Sequence, residues 1–285
     1  MKVPEKIFEI LLVILFYGCD KINPPYKKTQ ATTATFANAR NVLLEEFTGH
    51  TCPNCPNAAV VVDSILNTVA YKGRVIPVAI HALSLSNPVN APFTYNFQTP
   101  AGNEYATIFA PVGDPSAMFN RFNFGGGIVQ TGSLGINVAW PADVQSFMND
   151  TAAANIYIAV SNFIATPVVQ ASIYVNVNWL TNLTGNFNLC LEYTEDSIIN
   201  TQLMPSGVIN TKYVFMHVLR GALLPDFGLQ IATSPTANSS WSNTYTCTMD
   251  SALVPKNCHI VAYVINSASN EVIQTQQANL ITQQP

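Results

Sequence analysis

The stretch that decides the fold is VLLEEFTGHTCPNCPNAA, Val42–Ala59. It opens on an apolar run, passes through a short loop at Thr48–Thr51, and enters a segment of small and apolar residues just after two cysteines. Arg40–Phe47 reads as a strand. CPNCPNAAVVVDSILNTVA reads as a helix, because Val60, Val61, Ile65, Leu66 and Val69 recur at helical spacing. Gly73 closes it, and RVIPVAIHA, Arg74–Ala82, is a second apolar strand of the kind buried in a parallel sheet. A β-α-β order needs a right-handed crossover and implies an α/β domain.

The two cysteines fall where thiol chemistry gains most. A helix N-terminus offers free N–H groups and a partial positive charge, and both favour a thiolate. Cys52 is therefore expected to be the attacking thiol. Cys55, one turn inside, is expected to be the more buried resolving thiol. Zinc would need a second ligand pair. His50 and His81 supply one only if the fold brings them together, so no metal and no cofactor is expected.

Outward from this core, Leu83–Pro111 is too long for a simple connection. Pro88, Pro92 and Pro100 interrupt it, a helix is expected over Gly102–Phe109, and the segment reads as an insertion over the sheet. Gly113-Asp114-Pro115-Ser116 leads into a strand, AMFNRF. Trp140-Pro141 starts a last helix through Met148, with proline where helices tolerate it. From about Asn155 the period becomes two. Ala171, Ile173, Val175, Val177 and Trp179 alternate with polar residues, and Phe187–Tyr193 and Trp241–Met249 do likewise. Half-buried strands between Asn-, Gly- and Pro-rich turns predict an antiparallel Ig-like β-sandwich.

Charged residues make up 10% of the 285 residues and hydrophobic ones 48%, with a net charge of -4. That mix excludes intrinsic disorder, and the lack of a basic block excludes a nucleic-acid partner. Lys2 and Lys6 precede an apolar run, Ile7–Tyr17, which ends in Gly18-Cys19. This is a secretory signal, too short to span a bilayer as a helix. Its end resembles the lipobox of bacterial lipoproteins, in which the cysteine, here Cys19, is lipidated. Residues 1–18 are thus expected to be removed, and residues 19–39 to form a lipidated tether holding the protein to a membrane.

Export permits disulfides. Cys247 and Cys258 either close a bridge across a strand connection or remain two free thiols, and Cys190 sits on the polar side of its strand. His217 and Arg220 read as a polar contact between domains or as ordinary strand residues. Asp followed by Ser or Thr and a small or aliphatic residue recurs at Thr151, Ser197 and Ser251, and also at Ser64. This resembles the acceptor of a periplasmic O-glycosylation system, against the plainer reading of turn chemistry.

VLLEEFTGHTCPNCPNAA, VGDPSAMFNR (Val112–Arg121), HVLRGAL (His217–Leu223) and the ending HIVAYVINSASNEVIQTQQANL (His259–Leu280) together resemble the outer-membrane protein 28 family of exported Gram-negative proteins. The resemblance implies a lipid-anchored chain with a thioredoxin-like domain, residues 40–152, joined to a β-sandwich, residues 153–285. Thioredoxin-like proteins carry a buried acid where Glu46 stands, relaying a proton to the resolving cysteine, and a cis-proline where Pro115 stands, facing the cysteines. Two functions remain open. One is thiol-disulfide exchange on exported proteins by Cys52, Cys55, Glu46 and Pro115. The other is an outer-membrane binding, assembly or adhesion lipoprotein, partnered with envelope components, in which Cys52–Cys55 is a permanent disulfide.

Overall fold

The computed structural model describes residues 38–131 and 139–281. Cys19 and the signal segment lie outside them. β1 (Val42–Thr48) and β2 (Val75–His81) run parallel, with Val42 opposite Val75 and Thr48 opposite His81. α1 (Cys55–Asn67) connects them and buries Ala58, Val62 and Ile65 against one side of the sheet. Trp140 and Val144 of α3 (Trp140–Ser146) complete that layer. On the opposite side α2 (Pro100–Phe109) buries Ala101 and Tyr105 against Leu43, Phe47, Ile76, Val78 and Ile80. Its start is fixed by Pro100 in the first turn and by the Thr99 hydroxyl, which accepts from Gly102 N at 3.0 Å.

β3 (Ser116–Phe119) runs antiparallel to β1, and β4 (Gln130–Thr131) pairs with β3. β3 is shorter than the AMFNRF reading, because Asn120 and Arg121 take positive φ of 51° and 50° and turn the chain. The Asn120 side chain secures the turn by accepting from Leu43 N at 2.8 Å.

Ten further strands follow: β5 (Ala154–Ile164), β6 (Val169–Trp179), β7 (Asn186–Glu195), β8 (Ile198–Leu203), β9 (Ile209–Phe215), β10 (Val218–Ala222), β11 (Leu229–Thr233), β12 (Ser240–Met249), β13 (Cys258–Asn266) and β14 (Val272–Asn279). They do not form a sheet set of their own. One nine-stranded sheet runs β14-β13-β7-β10-β2-β1-β3-β4, with β11 also on β7, so strands from both sides of residue 152 share it. β12-β6-β5 form a second sheet, and β8–β9 an isolated hairpin. Pro77 explains how β10 joins. Ala79 N donates to His217 O at 2.7 Å across that edge, and the position two residues earlier would face the same way but has no N–H. β10 accordingly meets β2 only at Val218 opposite Ala79.

The three-stranded sheet packs on β7 and β13 through Ile156, Ile173, Val175, Leu189, Leu191 and Ile260. One open cysteine reading is decided here and another is corrected. Cys247 lies on β12 and Cys258 starts β13, in different sheets, and both are free buried thiols, so no bridge closes across their connection. Cys190 is not on a solvated face. β7 is covered on both sides, by the sandwich core through Leu189 and by the α2 layer through Cys190, which is 1% exposed. Period-two alternation marks a half-buried strand, and a polar residue on a doubly covered strand defeats it.

Candidate functional site

Cys52 and Cys55 form a disulfide with Cα atoms 5.5 Å apart. Asn54 is the N-cap of α1, so Cys55 is the first helical residue and Cys52 precedes the helix, its sulfur accepting from Cys55 N at 3.1 Å. Cys55, expected to be the more buried of the two, is no more buried than Cys52. Cys52 is 1% and Cys55 3% exposed.

Two segments cover the pair. From the insertion, Leu85 O accepts from Thr51 N at 3.1 Å and from the Thr51 hydroxyl at 2.8 Å. Gly49 passes so close that a Cβ there would meet the Leu85 carbonyl carbon at 2.6 Å, so only glycine fits. From the far half of the chain comes the β8–β9 hairpin. Leu203 N donates to His50 O at 2.9 Å, and the Gln202 side-chain amide donates to Cys52 O at 2.9 Å. The roots of this hairpin meet at Asp196, whose carboxylate accepts from His217 N at 2.7 Å and lies 3.1 Å from both His217 Nδ1 and His259 Nε2. Those partners outweigh burial and hold the Asp196 carboxyl below its ordinary range.

Beneath the hairpin, a cavity of about 260 Å³ runs between α1, β2 and β9. Cys55, Glu46, His81 and Gln202 line it, along with Val60, Val62, Val214 and Met216. Glu46 is buried, and its Oε1 has no hydrogen-bond partner. Burial first, and then the nearby Asp114 carboxylate, push its pKa from 4.5 to about 8. Asp114 is itself raised by burial to about 6. His81 is lowered to about 3, chiefly by burial. It stacks on Phe97 at 4.6 Å, and His50 lies against the same ring at 5.6 Å. The two histidines are thus brought together around Phe97, while the cysteines are committed to each other. Among the described residues no cluster of three or more His, Cys, Asp or Glu is placed to hold a metal ion.

Pro115 is buried, and the Asp114–Pro115 peptide is cis. Ser116 pairs with Phe47, which puts Pro115 beside the end of β1 that runs out into the cysteine loop.

Pleating separates the two adjacent acids of β1: Glu46 lines the cavity, and Glu45 points to the opposite side. There Arg121 donates to both Glu45 oxygens, at 2.8 and 2.7 Å, and to Tyr263 OH at 2.9 Å. Its guanidinium lies 4.9–5.1 Å from the ring centres of Tyr105, Phe109 and Tyr263. Burial opposes that charge, but Glu45 and the tyrosines outweigh it and keep Arg121 protonated. Tyr105 and Tyr263 both donate to Glu192 Oε1, and burial first, then Glu45, raise the Glu192 pKa to about 7. Sequence reading missed this network. The one available signal was an arginine inside FNRF in a chain with few charges.

Arg220 contacts Tyr95 OH at 2.9 Å and Glu195 at 3.4 Å, so it joins the insertion to the sheet. Thr151, Ser197 and Ser251 are all exposed.

The family described as Outer membrane protein Omp28 matches residues 102–284, a range that leaves out Cys52 and Cys55. No curated protein matches. Among solved structures, HBP35 of Porphyromonas gingivalis superposes with a TM-score of 0.64 at 17% identity, over 87% of this chain and 81% of that one, so the two share a fold. A domain of the outer membrane lipoprotein Omp28 from the same organism is 20% identical over 47% of this chain and 92% of its own length, with a TM-score of 0.32. No helix among the described residues is long and apolar enough to cross a membrane.

Proposed function

The chain belongs to the Outer membrane protein Omp28 family, and from that premise we propose a lipid-anchored binding protein of the Gram-negative envelope whose Cys52–Cys55 disulfide is a covered structural bridge. One observation carries this reading. Both sulfurs are buried, and the loop that holds them is hydrogen-bonded to Leu85 on one flank and to Gln202 and Leu203 on the other. A thiol pair that exchanges with protein clients must present a sulfur to them. The decisive measurement is the reduction potential of the pair, with alkylation of Cys52 under native conditions. A potential below about -300 mV and no labelling fit the bridge. A less negative potential with rapid labelling overturns it.

Exchange on exported proteins is the second reading. It is favoured by Glu46 sharing a cavity with Cys55 and holding a proton near neutral pH. It requires the β8–β9 hairpin to move.

The fold within this reading is a thioredoxin-like unit at residues 40–152 and an Ig-like sandwich at residues 153–285. It is supported by strand order β2-β1-β3-β4, with α1 and α3 in one layer and α2 in the other. The anchor is Cys19, and the partners are envelope components met by the exposed side of the hairpin. Thr151, Ser197 and Ser251 are the glycan acceptors; intact-mass spectrometry with no added hexose would dismiss them.

A further inference from the structure

The cavity under the hairpin holds something that a structural bridge does not explain. Among the described residues no lysine or arginine lines it, yet it contains Glu46, which is 6% exposed and has an oxygen with no hydrogen-bond partner. A buried carboxyl without a partner is costly, and the deficit is met by a proton or by a cation. The space beside Glu46 is walled by Val62, Phe215 and Tyr213, and its rim is apolar and open. Val60 is 67% exposed, and Val214 and Met216 are exposed beside it.

We propose that this cavity is a binding site for a primary alkylammonium group, with the alkyl stem between α1 and β9 and the nitrogen against Glu46. The charge pattern selects this class. Asp63 stands on the wall and the Asp114 carboxylate acts on Glu46 from nearby, so an anion is repelled. A neutral alcohol would give Glu46 a single ordinary hydrogen bond. An ammonium gives a charge-assisted one and replaces the proton. The stem lies on apolar surface as a lysine side chain does when its head reaches a polar group.

The site makes its own pH signature. Besides Asp114, the groups around Glu46 are His81 on β2, Cys55 in the disulfide, and Tyr213 on β9; His217 lines the same cavity. His81 is held neutral, and Tyr213 is raised by burial and by Glu46. Asp114, at about 6, is largely ionised above pH 7. Glu46 is therefore the acid that must lose its proton when the ammonium enters.

Calorimetric titration of the oxidised full chain with n-hexylamine and n-hexanol tests this, and it does not depend on whether the disulfide can exchange. One saturable site is expected for the amine, tightening by about tenfold per pH unit between pH 6.5 and 7.5 as the proton becomes easier to release. Hexanol should bind at least about tenfold more weakly and without that slope. Glu46→Gln, a neutral isostere, should remove the preference and the slope, and Ala59→Phe should block both ligands. Nα-acetyl-lysine methylamide separates two sources of the same chemistry. Binding equal to hexylamine points to a protein side chain, and much weaker binding points to a free amine. Hexanol binding as tightly as hexylamine, an amine affinity that ignores pH, or no saturable site in the unsubstituted protein would each overturn the proposal.

Discussion

On one side of β1, Glu45 receives two hydrogen bonds from Arg121; on the other, its neighbour Glu46 is left with an oxygen that makes no hydrogen bond. Both side chains are buried and belong to the same seven-residue strand. The sheet's alternation alone sends them to opposite layers. The Glu45 layer is closed: hydrogen bonds among Arg121, Tyr105, Tyr263 and Glu192 join α2 to β7 and β13, and leave only Arg121 Nη1 and Glu192 Oε2 of that group unpaired. The Glu46 layer is open, with a cavity, a disulfide and a raised carboxyl. The difference separates a buried charge held for architecture from one held available for a ligand or a proton.

The contrast breaks most visibly at Arg121. Arg121→Met leaves Glu45 buried without its counter-charge and should cost about 3–5 kcal/mol in urea unfolding. A loss under about 1 kcal/mol would mean that the closed layer is not held by its ion pair.

Glu46→Gln should act in the other direction and depend on pH. The folded protein keeps this proton up to about pH 8, whereas the unfolded chain releases it near 4.5. Between those values the native state binds more protons, so the wild type loses stability as pH rises, at up to about 1.4 kcal/mol per unit. The glutamine variant lacks that loss. Its advantage should open above pH 5, reach about 4 kcal/mol near pH 8 and level off at about 5 kcal/mol above it. Parallel stability curves for the two proteins would contradict the raised carboxyl.

Smaller effects follow at the cover. Replacing both Cys52 and Cys55 by Ser removes a short cross-link and should cost about 2 kcal/mol in chemical denaturation. Gln202→Ala loses the amide contacts to the Cys52 and Gly49 carbonyls and should cost about 1 kcal/mol, while speeding amide exchange in the cysteine loop. Unchanged exchange would show that the hairpin does not shield the loop.

The sequence made the β1-α1-β2 unit legible because its apolar runs are long and its helical spacing is regular, and it marked Cys52, Cys55, Glu46 and Pro115 as one group. It did not reveal what covers them. Gln202 comes to Cys52 from 150 residues away, and nothing local in the β8 sequence announces that contact. Arg121 and Glu45 are 76 residues apart and carry no shared motif. Cys190 was misplaced because a strand covered on both sides does not obey a two-residue alternation. Local pattern reports an element and its solvent side, and it is silent about a second layer supplied by distant chain.

The shared sheet has a mechanical consequence for the proposed attachment through Cys19. β1 has neighbours on both sides, and the residues just before it are tied across the molecule. Arg40 reaches Asp150, Glu271 and Val272, and Asn41 reaches Gln274 and Thr275. Tension arriving along the chain therefore enters an interior strand lengthwise and loads its hydrogen bonds in shear, all at once. The two halves of the chain would then yield together under pulling, as one rip in a force-extension trace.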